Sequence, residues 1–133
     1  MPLVRIDAMH CDTERLKALG RAAHEALGET MGFPDEDRFQ ILTGHDGQHG
    51  VLRHGTYLGV PRDDGIVYVA ITLRAGRPDT QKQALYQRIS ELAEAYAGVE
   101  PRNMFIVLTE NSHADWSLGD GVAQYLQSED EGN

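Results

Sequence analysis

Gly65-Ile66-Val67-Tyr68-Val69-Ala70-Ile71-Thr72-Leu73 is the stretch that decides the fold. It is nearly continuously apolar and rich in β-branched residues, which predicts a strand buried on both faces. Arg77-Pro78-Asp79 follows: proline fits a first helical turn, and an aspartate there faces the positive end of the helix dipole. Leu85, Ile89, Leu92 and Tyr96 then recur at helical spacing, and Gly98 ends the helix. Asn103 to Thr109 (NMFIVLT) reads as a second buried strand. Strand, helix and strand in this order form a crossover unit, which pairs its strands in parallel through a right-handed connection.

The first half has the same order. Leu3 to Asp7 alternates apolar and polar residues and reads as a short strand. Asp12-Thr13-Glu14 supplies an N-cap and an acidic first turn. Leu16, Leu19, Ala23, Ala26, Leu27 and Thr30 share one helical stripe, which runs to about Met31 and is ended by Gly32 and Pro34. Arg38 to Thr43 is the next strand, with Phe39 and Ile41 on one face. The stretch from Gly44 to Gly59 reads as a hairpin or long loop with weak pairing around Val51-Leu52, and Val122 to Leu126 as a short final strand. We therefore expect an α/β (α+β) fold: two β-α-β units, residues 2–64 and 65–127, in one four-stranded mixed sheet with two helices on one face. A single domain is expected over residues 1–127, and residues 128–133 as an acidic, frayed tail. Strands apolar on both sides need a second cover, and another copy of the chain supplies it.

Of the 133 residues, 41% are hydrophobic and 25% charged, ordinary values for a globular chain. The net charge of −9 argues against a nucleic-acid or anionic-membrane partner, both of which need a basic face. It leaves room for a small anionic substrate held by a few local arginines. Cys11 is the only cysteine, so no internal disulfide can form, and no apolar run is long enough to span a bilayer. The expected compartment is the cytoplasm.

The chain opens Met1-Pro2-Leu3. Removal of Met1 turns Pro2 into a free secondary amine, a compact nucleophile and base unlike any side chain; an ordinary α-amino group titrates near 7.7–8.0. A proline on the first strand followed by two crossover units resembles the tautomerase superfamily. The resemblance sharpens at Asp37-Arg38-Phe39-Gln40-Ile41-Leu42-Thr43, at Ala75-Gly76-Arg77, and at Thr109-Glu110-Asn111-Ser112-His113-Ala114-Asp115-Trp116-Ser117. These stretches are similar to the malonate semialdehyde decarboxylase branch. That resemblance implies a trimer, a cofactor-independent site, and a small oxo acid as substrate. It makes Pro2 the amine, Asp37 the aspartate and Arg77 the arginine opening the second helix. Members of the branch can carry two arginines separated by one residue here; this chain has Ala75 at the first of those positions, with Arg74 one residue earlier. Strict strand alternation would turn residue 74 away from residue 75.

The chemistry fits these residue types. Decarboxylating a 3-oxo acid needs a sink for the electrons of the breaking bond. A protonated Pro2 can donate to the aldehyde oxygen; a neutral Pro2 can instead condense to an iminium. Arg77 can grip the carboxylate with two prongs at a helix N-terminus, and Asp37 can hold the ammonium or position a water. Arg74, Trp116, Phe39 and Leu73 are the candidate substrate-contacting residues, with Phe39, Leu73 and Phe105 also reading as core. No metal is expected: His45, His49 and His54, with Asp46, lie in a glycine-rich stretch that makes a poor cage and reads as a solvated hairpin. The favoured function is decarboxylation of malonate semialdehyde. A tautomerase or hydratase of small 2-oxo acids, with Pro2 as a base, is the alternative enzyme, and a non-enzymatic trimeric binding protein is the alternative from another class.

Overall fold

The computed structural model describes residues 1–127, so the acidic tail at 128–133 lies outside the described residues. The elements in order are β1 (Leu3–Met9), α1 (Thr13–Met31), β2 (Phe39–His45), β3 (Val67–Arg74), α2 (Asp79–Ala97) and β4 (Met104–Asn111). Two 3-10 turns, Pro101–Asn103 and His113–Asp115, flank β4. The sheet order is β2-β1-β3-β4. β1 and β2 run parallel, as do β3 and β4, and the two units join through the antiparallel β1–β3 pair. This is the expected four-stranded mixed sheet, with both helices on one face.

Local chemistry sets the boundaries. Asp12 caps α1 by accepting from the Arg15 amide at 2.8 Å, and Pro78 caps the start of α2 without a side-chain bond. The helices end at Gly32 and Gly98, which adopt the left-handed backbone at φ 75° and 65°. Small residues on α1, namely Ala22, Ala23 and Ala26, let it lie close to the sheet beside Leu19 and Leu27. α2 contributes Leu85, Ile89, Leu92 and Ala93. Against them stand Val4, Ile6 and Ala8 of β1 and Val67, Val69, Ile71 and Leu73 of β3.

As expected of a strand whose second face needs another cover, the 65–73 strand is buried on one face only within a single chain: Val67, Val69, Ile71 and Leu73 are buried, while Ala70 and Arg74 are exposed. Two expectations change. Val51-Leu52 forms no strand; the loop's pairing is one isolated bridge, Tyr57 to Val60. Residues 124–127 form a helical turn rather than a strand, with the Leu126 and Gln127 amides donating to the Ala123 carbonyl. In each case a short apolar run fits more than one backbone until its neighbours are placed.

The face away from the helices stays open. Its cross-strand rows are Phe39–Leu3–Thr72–Thr109, Ile41–Arg5–Ala70–Val107 and Thr43–Asp7–Tyr68–Phe105. Leu3, Phe39, Ile41, Phe105 and Val107 are all exposed there. Among the described residues no helix is long and apolar enough to cross a membrane.

Candidate active site

The N-terminus, the 34–37 turn, the β3–α2 junction and the segment after β4 converge on one cleft. Met1, Phe33, Arg74, Arg77, Trp116 and Tyr125 line it, around a cavity of about 160 Å³. At its edge the Met1 ammonium lies 3.4 Å from Asp37 Oδ2, with the Asp37 side chain only 15% exposed. Asp37 Oδ1 is buried and has no hydrogen-bond partner among the described residues. A turn places it: the Asp37 amide donates to the Pro34 carbonyl at 3.0 Å. Pro2 is fully buried directly behind Met1. While Met1 is attached, the Pro2 nitrogen is an amide without basicity. Removal of Met1 moves the terminal amine inward by one residue, at most about 3.8 Å along the chain.

Arg74 and Arg77 both reach the cleft. Alternation alone would separate Arg74 from the site, but β3 ends at Arg74 and the strand rule ends with it. Gly76 takes φ 125°, a conformation open to glycine, and turns the chain into α2. Arg77 Nη1 then donates to the Arg74 carbonyl at 2.9 Å, and its guanidinium lies over the Phe33 ring at 4.6 Å. Burial, reinforced by the Arg74 charge, lowers the Arg77 pKa, but from a value so high that the guanidinium stays charged at neutral pH. Arg74 Nη1 contacts His113 Nε2.

The loop after β4 is held by its own polar groups. The Asp115 carboxylate accepts from the Ser112 amide and hydroxyl at 2.8 and 3.0 Å, and Trp116 Nε1 donates to Asn111 Oδ1 at 2.8 Å. These bonds fix Trp116 between the cleft and an adjoining apolar hollow of about 320 Å³, lined by Met1, Leu3, Phe39, Trp116, Ser117 and Leu118. Phe39 therefore lies beside the site, on the open face. Leu73 does not: it sits on the helix face of β3 at 1% exposure, so its expected place as a pocket wall is corrected to the core.

Two lining residues were not selected from the sequence, Phe33 and Tyr125. Phe33 follows the helix-ending Gly32, and its position before the Asp37 turn was the available signal. Tyr125 lies in the segment read as a strand. The histidines do not converge: His45 faces Asp7 at 2.8 Å, His49 faces Asp46 at 2.9 Å and His54 faces Asp64 at 3.2 Å. Among the described residues no group of three or more metal-ligating side chains is arranged to hold an ion.

A family model described as tautomerase enzyme matches residues 37–119, and a second of the same description matches residues 2–60. The chain belongs to the tautomerase superfamily. "Probable tautomerase YrdN" of Bacillus subtilis (strain 168) is 35% identical over 127 residues, 95% of this chain and 97% of the relative. Among solved structures, a malonate semialdehyde decarboxylase inhibited by 3-bromopropiolate superposes with a TM-score of 0.84 at 38% identity, covering 96% of both chains. A malonate semialdehyde decarboxylase described for its decarboxylase and hydratase activities superposes with a TM-score of 0.82 at 33% identity, over 96% of this chain and 98% of that one. This tautomerase-superfamily chain thus shares the whole fold of those decarboxylases, and the resemblance expected from Asp37, Arg77 and the Trp116 loop is upheld.

Proposed function

We propose that the protein, with Met1 removed, decarboxylates malonate semialdehyde to acetaldehyde and carbon dioxide, and that Pro2, Asp37, Arg74 and Arg77 carry the reaction. The observation behind this reading is the pairing of a terminal ammonium with the nearly buried Asp37 beside two arginines in one small cleft. Arg77, with Arg74, grips the carboxylate and holds the scissile bond perpendicular to the carbonyl plane. Carbon dioxide leaves; the bond's electron pair becomes the new carbon–carbon π bond, and the aldehyde π pair moves onto its oxygen. The enolate then takes one proton at carbon, which the Pro2 ammonium donates and recovers from solvent. Asp37 favours that ammonium. Trp116 and Phe39 wall the reacting carbons, and the open sheet face is covered by two further copies in a trimer.

The test is turnover of malonate semialdehyde by protein whose mass confirms a Pro2 terminus, with acetaldehyde as the readout. Pro2→Ala is expected to lose most of the activity. Absence of acetaldehyde from the confirmed Pro2 form removes the proposal.

A second reading, a tautomerase of small 2-oxo acids with a neutral Pro2 as base, is favoured by the description of the Bacillus relative. The titration of the Pro2 amine separates the two. A value above neutral, expected from the adjacent carboxylate, supports the donor; a value near or below neutral supports the base.

A further inference from the structure

The end of β4 clasps the turn that carries the two arginines. β3 and β4 run parallel, with Leu73 beside Glu110 and Arg74 beside Asn111. Past β3 the chain is still held to β4. The Ala75 amide donates to the Asn111 carbonyl at 2.8 Å, and the Gly76 amide donates to the Glu110 carboxylate. Glu110 Oε1 also accepts from Lys82 Nζ at 2.7 Å, in the first turn of α2. One carboxylate thus ties the turn to the helix, and Arg77 lies in the chain between its two partners.

The bond to Gly76 falls where the turn is least fixed by packing. Gly76 takes φ 125°, and a Cβ built on it would meet nothing within 4 Å. Glycine has many other conformations open to it, and each would re-aim Arg77 relative to Arg74. Selecting one of them before a ligand arrives lowers the ordering cost of binding. Charge alone gives a carboxylate no reason to stand here, because it repels the anion that the arginines attract. Lys82 offsets that charge. The Lys82 bond and charge come first, and the Gly76 amide and the Arg77 charge follow; against the effect of burial they hold the Glu110 carboxyl below its usual range.

We propose that Glu110 is a positioning residue for the arginine pair: by accepting from the Gly76 amide it fixes the turn that aims Arg74 and Arg77 at one small carboxylate. The proposal rests on the reading of the cleft as an oxo-acid site. Glu110 itself touches neither the substrate nor the reacting atoms.

The test uses protein with a confirmed Pro2 terminus and 3-hydroxypropionate, a small carboxylate with no carbonyl to drive decarboxylation, titrated by NMR. Glu110→Met keeps the length of the side chain and removes the acceptor. Its Kd is expected to rise about tenfold, the effect of losing a hydrogen bond to a charged group. In malonate semialdehyde turnover KM is expected to rise by a similar factor, with kcat changed less. Glu110→Gln restores a neutral acceptor and is expected to recover most of the affinity. A parent-like Kd in Glu110→Met, or a Glu110→Gln as weak as Glu110→Met, overturns the positioning role. Tighter binding in both variants shows that Glu110 acts only by its charge, and overturns it as well. A further measurement needs no variant: the Gly76 amide of the parent is expected to be protected from hydrogen exchange, although the residue is exposed. An unprotected amide overturns the proposal whether or not the variants fold. The expected pattern of Kd values in a parent that yields no acetaldehyde keeps the role of Glu110 and removes the decarboxylase reading. Acetaldehyde from the parent, with Kd and KM unchanged in Glu110→Met, does the reverse.

Discussion

Arg77 is held from two directions before any ligand arrives. Its Nη1 is engaged with the Arg74 carbonyl, and its plane lies on Phe33. What remains free is an edge of the guanidinium, the part that meets a carboxylate bidentately. Arg77→Lys keeps the charge and loses both the stacking plane and the second prong. Activity on the oxo acid, as kcat/KM, is expected to fall roughly 10–100-fold in steady-state assays, the value of a charge-assisted bidentate contact. At this scale the sequence was readable where a residue's chemistry was unusual and unreadable where its orientation mattered. Asp37 and Arg77 stood out by type and setting, and both lie at the site. Leu73 and Arg74 show the difficulty. A one-residue change in strand parity turns a side chain to the other face, so Leu73 went to the core. The same parity argument failed for Arg74 because β3 stops there and Gly76 redirects the chain.

At the scale of elements, the long connection from β2 to β3 is tied down near its end by Asp63. Its Oδ1 accepts from the Gly65 amide at 2.8 Å and from Asn103 Nδ2 at 2.9 Å, and its Oδ2 accepts from Arg102 Nη2 at 2.5 Å. The loop is thereby fastened to the 3-10 turn that launches β4. These bonds, the Gly65 amide first and the Asn103 side chain second, hold the carboxyl below its ordinary range. A carboxyl depressed in the folded state stabilises above its unfolded pKa of about 3.9, and that contribution fades as pH falls through the folded value. Asp63→Asn is expected to be less stable than the parent at pH 7 and to lose less stability between pH 5 and pH 2, as read by urea midpoints across that range. The two regular halves of the chain were legible because their helices carry caps, stripes and terminal glycines in the order physics requires. Residues 44–64 were not, because glycine, histidine and aspartate there make local bonds that fit many loop paths: His49 with Asp46 and His54 with Asp64 are examples.

For the molecule as a whole, the open face is the largest departure from what one chain can satisfy. Phe39 and Ile41 on β2 and Phe105 and Val107 on β4 lie on opposite edges of the sheet, and all are exposed. If copies cover this face, a charge at its β4 edge opposes assembly without touching the helix-side core. Val107→Asp is expected to shift the protein to smaller species in sedimentation velocity while the far-ultraviolet circular dichroism is kept. The apolar run at 65–73 carried this information from the start: it implied burial on two sides, one side is supplied by helices, and the other is unmet among the described residues.

β1 and β3 are neighbours that run in opposite directions and begin like units. They differ in one covalent respect. β1 follows Pro2, whose nitrogen becomes a free amine if Met1 is removed. β3 starts in mid-chain, where Ile66 precedes it and every nitrogen is locked in a peptide bond. The start of β3 lies at the other end of the sheet, where Val67 pairs with Ala8 near the end of β1. There the sequence has placed His10, Cys11, His45 and His49 around a hollow in which no terminal amine can form.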